Sequence, residues 1–252
     1  MRSKIAAWVL ASLMPLGVRA DMTDLWWNPT ESGWGVNIIQ QADVLFATMF
    51  VYGAGSRPTW YVASAVLPAG QGYSGNLYET SGPVFTGPFD PSAVTLRQVG
   101  TFTIVPSPNS QAIATLTYTV DGATINKIIE RQTWRANDLN GNYMGGNVGT
   151  YSGCPSNGYR EEPGFWSIAQ TTQDFRMSSL TNMICDFSGS YQQTGRSGTS
   201  DGLFTCTGST GTMTGTYLAT EIEKTAQGFS AKLLMQSSLC RWEGGIGGLK
   251  QR

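Results

Sequence analysis

The chain contains no histidine, and that absence narrows its chemistry more than any other count. Without an imidazole there is no Ser-His-Asp or Cys-His catalysis, no histidine metal site and no base that titrates unaided near neutrality. An enzyme of this sequence would have to work with carboxylates, Lys or Tyr. Charge is also scarce: only 13% of residues are Asp, Glu, Lys or Arg, and no basic run occurs anywhere. Nucleic acid and anionic membrane surfaces are therefore excluded as expected partners. The N-terminal half has no cysteine, and no amphipathic helix of useful length is legible there. The one long apolar run lies at the start of the chain.

That run reads as an export signal. Arg2 and Lys4 precede Ile5 to Val18, about 14 uncharged residues and so short of the roughly 20 that span a bilayer as a helix. Val18-Arg19-Ala20 supplies small residues at the −3 and −1 positions of a signal-peptidase site, so cleavage is expected after Ala20. No cysteine follows the cut, which argues against a lipid anchor. Removing Arg2, Lys4 and Arg19 leaves 13 basic residues against 17 acidic ones, a formal charge of −4. The expected location is periplasmic or secreted, with no integral membrane segment after cleavage.

What is abundant is glycine, 31 residues, together with Ser, Thr, Asn and 28 aromatics. This composition suits an all-β protein rich in turns. Strands are expected at Gly35–Ile39, Val44–Tyr52, Thr59–Val66, Tyr73–Thr80, Val94–Val105, Ala112–Val120 and Ala123–Trp134. In Val44–Tyr52 both alternating faces are largely apolar, which predicts a strand covered on both sides. Asp121-Gly122 is the strongest hairpin signal, because a two-residue type I′ turn needs positive φ at both central positions. The stretch from Gly82 to Pro91 reads as a long connection, expected across a barrel end. A boundary is expected near Arg135–Leu139, dividing the chain into a signal peptide (1–20), a first β domain (21–135) and a second (136–252). Each domain is expected to be a small antiparallel up-and-down barrel or sandwich, avidin- or lipocalin-like in architecture only.

All four cysteines fall in the second half, and in an exported protein they are expected to form two disulfides. If Gly195-Arg196 is a two-residue hairpin loop, Cys185 and Cys206 lie opposite each other on adjacent strands, within disulfide reach. Cys154 and Cys240 then tie the first and last strands of the second domain. Neither pair has the CxxC spacing of a redox or zinc motif. The short theme of Gly75-Asn76-Leu77-Tyr78, Gly141-Asn142-Tyr143, Gly189-Ser190-Tyr191 and Gly215-Thr216-Tyr217 reads as architecture, glycine marking bent or closely packed strands.

The densest segment is Asp24 to Asn37, with three Trp, one Glu and two Asn. Two readings stand. Trp26, Trp27 and Trp34 form an aromatic platform with Asn28, Glu31 and Asn37 as polar hooks, joined by Trp60; or the three rings fill a barrel end while Glu31 and Asn28 bond the turn. Trp60 and Tyr61 point to opposite faces, so only one of them can join the cluster.

The run WWNPTESGWGVN, followed by VLFATMFVYGAGSRPTWYV and YTVDGATINKIIERQTW, resembles a recurrent module of proteobacterial exported proteins marked by W-W-N-P-x-E-S-G-W-G-x-N. The resemblance covers about residues 24–134 and rests on Trp26, Trp27, Asn28, Pro29, Glu31, Ser32, Gly33, Trp34, Gly35 and Asn37. CDFSGSYQQTGRSGTSDGLFTC in the second half is similar to segments that accompany the module. The module is sometimes joined to secreted hydrolases, so the resemblance implies export and modularity but no mechanism. Met49 departs from the pattern, where Trp is expected before Phe50.

Three weaker matches remain. Gly198-Thr199-Ser200-Asp201-Gly202 spells a nucleophile elbow, but in a hairpin and without histidine. Ser74-Gly75-Asn76-Leu77-Tyr78 is similar to the S-G-x-x-Y loop of periplasmic lysozyme inhibitors, whose second motif is missing. Glu31, Asp43 and Glu79 are carboxylates that a glycoside hydrolase could pair. The leading expectation is a non-catalytic extracytoplasmic module without a cofactor, taking a glycan, a small molecule or a protein. The alternatives are a carboxylate-dependent glycan hydrolase and a lysozyme-inhibitor-like protein.

Overall fold

The computed structural model describes residues 21–84, 86–108, 110–209 and 211–251; the expected signal peptide, residues 1–20, lies outside the described residues. Eight strands form the first unit: β1 (Asp24–Trp27), β2 (Gly35–Gln41), β3 (Val44–Tyr52), β4 (Pro58–Ala69), β5 (Gly72–Ser81), β6 (Thr95–Ser107), β7 (Ser110–Val120) and β8 (Ala123–Arg131). Each pairs antiparallel with the next, and β8 returns to β1 through Trp26↔Arg131 and Trp27↔Glu130, closing a barrel. The second unit comprises β9 (Gly141–Ser152), β10 (Gly158–Gln170), β11 (Asp174–Leu180), β12 (Ile184–Ser190), β13 (Gln192–Thr194), β14 (Ser197–Gly208), β15 (Gly211–Lys224), β16 (Gly228–Ser237) and β17 (Arg241–Lys250). Here β12 and β13 both pair with β14, so two short strands share one position, while β9 meets β17. The fold is two closed eight-stranded antiparallel barrels in tandem.

Alternation builds both walls. In β11, Phe175, Met177 and Ser179 are buried and their neighbours exposed, the period-two pattern of a sheet with one face on a core. The first core holds Trp26, Met49, Leu77 and Phe102; the second, separate from it, holds Tyr143, Trp166, Phe187 and Trp242. The tight turn at Asp121 (φ 48°) and Gly122 (φ 86°) has the positive dihedrals that a type I′ turn requires.

Both disulfides pair as their positions predict. Thr194↔Ser197 makes Gly195-Arg196 a two-residue loop, and Cys185↔Cys206 face each other with Cα atoms 4.0 Å apart. Cys154–Cys240 lies beside the β9–β17 seam.

Two expectations need correction. β3 is covered on its inner face only, and Phe46, Phe50 and Tyr52 are exposed, because the closed barrel offers nothing to pack on its outside. The last strand of the first barrel ends at Arg131, not Trp134: Gln132 N–H bonds the Leu25 carbonyl (2.8 Å) and the chain then leaves the sheet, with Trp134 exposed. The expected long connection between β5 and β6 is present, with Val84 and Phe89 exposed.

The linker docks on the β13–β14 hairpin. Gly195 N–H donates to Thr133 Oγ1 (2.7 Å), Asn137 N–H to Gln193 Oε1 (2.6 Å), and Gln193 Nε2 to the Arg135 carbonyl (2.9 Å). Arg131 is buried beneath it and pairs with Asp24 (3.4 Å), whose carboxylate also accepts the Arg196 N–H (3.0 Å). Among described residues, no helix is long and apolar enough to cross a membrane.

Candidate functional site

Strand order sorts the connections of the first barrel to its two ends. The turns at 42–43 and 70–71 share one end with the junction. The Asn28–Trp34 connection, the 53–57 turn, the 82–94 connection and the Asp121-Gly122 turn share the other, distal end. Trp34, Val51, Tyr61, Tyr118 and Val120 sit there, partly buried against the top of the core.

Register adds charge to this aromatic end. Tyr61 faces Glu79 and Glu79 faces Arg97; facing residues share a side of the sheet, so all three point inward. By the same rule Lys127 points inward, because it faces the buried Leu116.

Two ion-pair clusters result. Lys127 Nζ lies 2.8 and 2.7 Å from the two carboxylate oxygens of Glu31, and Trp34 Nε1 donates to the second of these at 3.2 Å. The Lys127 ammonium is 6.0 Å from the centre of the Trp34 ring, at the limit of a cation–π contact. Two strands away, Arg97 donates through Nε (3.0 Å) and Nη2 (2.7 Å) to Glu79 and also bonds Asp121. The Lys127 hydrogen bond holds the Glu31 carboxyl below its ordinary range, and Arg97 does the same to Asp121. Burial pushes the Tyr61 and Tyr118 hydroxyls up; the charges of Glu79 and Asp121 add to this at Tyr61.

Chemically, this end offers partly exposed aromatic surfaces beside donors and acceptors fixed in pairs. A general acid needs a raised pKa, and Glu31 is shifted the other way. Asp43 lies in the turn at the opposite barrel end, so it cannot partner Glu31.

Of the seven residues expected to line a site, Glu31 and Trp34 alone meet at the distal end. Trp26 is sealed in the core (0% exposed), its Nε1 donating to the Met22 carbonyl at 2.9 Å. Trp27 alternates to the outer side of β1, half-buried, and its Nε1 meets no acceptor among described residues. Asn28 caps its own turn, accepting from Thr30 N–H (2.9 Å) and Oγ1 (2.8 Å). Asn37 is exposed on the outer face of β2, opposite Leu25 and Thr48. Trp60, 55% exposed, stands on the outer wall opposite Phe50. Its neighbour Tyr61 joins the cluster instead, because Tyr61 faces the inward Met49. Alternation separates Trp60 from Tyr61 but does not say which is inside. Lys127, Tyr118 and Arg97 carry no local signal, since their partners lie on distant strands.

The short motifs dissolve into walls. Ser200 is 1% exposed within β14 and shares a hydrogen bond with the Tyr217 hydroxyl (2.7 Å). Ser74 to Tyr78 lies inside β5, where Ser74 bonds Thr103 (2.9 Å); it is a strand and not a protruding loop.

No protein-family model matches this chain, and no curated protein matches it.

Proposed function

We propose that this chain is an exported, non-catalytic binding module whose first barrel takes a saccharide at its distal end. The leader-like residues 1–20 and the two disulfides support a periplasmic or secreted location. The observation that carries the reading is the clustering of Trp34, Tyr61 and Tyr118 with the Glu31–Lys127 and Arg97–Glu79 pairs on one barrel end. Aromatic faces stack against the C–H face of a sugar ring, and paired charges present fixed acceptors and donors to vicinal hydroxyls. A net acidic chain without basic runs favours this over a polyanion.

Calorimetric titration with oligosaccharides from cell-wall and capsular polymers tests the reading. Saturable binding is expected, weakened at least tenfold by Trp34→Ala and unchanged by Trp60→Ala on the outer wall. Absence of binding across the panel, or loss with Trp60→Ala and not with Trp34→Ala, overturns it.

A further inference from the structure

The second barrel encloses a cavity of about 40 Å³ near the end remote from the linker. One water needs roughly 10–15 Å³ on this measure, so the space holds about three or four heavy atoms. Its walls come from strands all round the barrel, and on β9, β10 and β17 Asn147 faces Glu162 and Tyr151 faces Trp242. Both disulfides border it, fixing the strands around the opening.

The polar groups here are not balanced by one another. Glu162 is 8% exposed. Its carboxylate accepts from Asn182 Nδ2 (2.7 Å) and, weakly, from Asn147 Nδ2 (3.4 Å), both neutral amides. Arg160, two positions along the same strand, lies over the Tyr151 ring (5.3 Å) and donates to Ser156 Oγ (2.5 Å). Glu162 is in none of the ion pairs of the described residues. Three further buried atoms lack partners among those residues: Asn147 Oδ1, Trp166 Nε1 and Trp242 Nε1. The two indoles are 2% and 4% exposed. Buried polar atoms are nearly always satisfied in folded proteins, so several unpaired ones around one cavity leave hydrogen-bonding capacity for a polar guest.

The unpaired set specifies the guest. A carboxylate with free lone pairs and an unpaired amide oxygen call for a multiple donor, and a positive one, since the carboxylate has only neutral partners. Tyr151, Trp166 and Trp242 present aromatic walls that favour a cation. The indole N–H groups, which line the same cavity, call for an acceptor on the same guest. Met183, Met213 and Met235 also line the cavity, and their flexible thioethers can adapt to a guest.

We infer that the second barrel binds a small primary ammonium carrying a neighbouring hydroxyl, the 2-aminoethanol class. This site is independent of the saccharide reading of the first barrel. Titration of the full chain with ethanolamine, propylamine and ethylene glycol separates the contributions. Ethanolamine is expected to bind most tightly, propylamine more weakly and the uncharged glycol not at all. Glu162→Gln, which keeps shape and removes charge, should weaken ethanolamine at least tenfold. Trp242→Phe should narrow the preference for ethanolamine over propylamine, and it keeps the test alive if the Gln variant does not fold. Trp34→Ala should leave all three titrations unchanged. Absence of saturable binding by either amine, equal binding of glycol, or wild-type ethanolamine affinity in a folded Glu162→Gln protein would overturn the assignment.

Discussion

The guanidinium carbon of Arg131 lies 4.6 Å from the centre of the Trp26 ring. Trp26, the expected platform residue, instead forms a seat for a buried cation at the junction of the barrels. Nε of Arg131 donates to the Gln111 carbonyl (2.8 Å), and Nη1 donates to the Thr23 carbonyl (3.2 Å) and to Asp24 (3.4 Å). Because Asp24 also takes the Arg196 backbone N–H, one carboxylate links the first barrel to the hairpin of the second.

Arg131→Ala should therefore destabilise by about 3–5 kcal/mol, the range for removing one member of a buried ion pair. Arg131→Lys should recover little, since an ammonium cannot reproduce a planar fork over an indole. Urea denaturation of the three proteins measures this, and a Lys variant of wild-type stability would contradict the stacking argument.

The two cores share no residue, so loss of a disulfide should act on one barrel. Sequence separations of 21 for Cys185–Cys206 and 86 for Cys154–Cys240 correspond to about 3 and about 4.5 kcal/mol of chain-entropy stabilisation. Replacing either pair by Ala should open residues 141–250 to proteolysis while residues 24–131 stay resistant. Peptide mapping after limited digestion reads this directly; equal cleavage of both barrels would show that they unfold as one.

Much of this architecture is legible in the residues. Alternation in Val44–Tyr52 places Leu45, Ala47 and Met49 on one side, where they are all buried. The Asp121-Gly122 turn and the Cys185/Cys206 positions define register without a structure. β1 escapes notice because four residues, Asp24–Trp27, show hardly one alternation. The distal site is only half legible, since Glu31 and Lys127 are 96 residues apart and meet only when β8 returns to β1. Glu162 gives no signal in the sequence: alternation turns it, and not the adjacent Glu161, to the inner side of β10, and only closure of the barrel makes that side an interior.

Acid should release the distal end in a defined order. The Lys127 hydrogen bond holds Glu31 below the ordinary carboxylate value in the folded protein. The stabilisation from such a depressed group is present above its unfolded pKa and is lost as pH falls through the folded one. Saccharide binding should stay level from pH 7 down to the ordinary carboxylate range and drop only below it, when protonated Glu31 frees Lys127 and the Trp34 indole. Lys127→Met removes the main cause of the shift, so the drop should begin at higher pH. Titration calorimetry across pH checks both curves, and superimposable profiles would remove Glu31 from the site.

Two adjacent glycines should respond oppositely to one methyl group. A Cβ on Gly244 would lie 2.1 Å from the Val148 carbonyl oxygen, 2.5 Å from Gly149 Cα and 2.9 Å from Trp242 Cζ2. Backbone on a paired strand yields little, so the indole or the β9–β17 pairing must shift, and overpacking of this kind costs about 1–3 kcal/mol. A Cβ on Gly245 points outward and meets only Val148 Cγ2, at 3.7 Å, an ordinary contact. There the methyl restricts the unfolded chain without strain, which is worth about 0.4–1 kcal/mol in favour of the fold. Gly244→Ala should lower the thermal midpoint and, by moving Trp242, weaken ethanolamine binding; Gly245→Ala should raise the midpoint slightly and leave binding alone. Calorimetric melts with parallel amine titrations compare the two, and a Gly244→Ala protein as stable as the Gly245→Ala one would mean that Trp242 is not held against the glycine backbone.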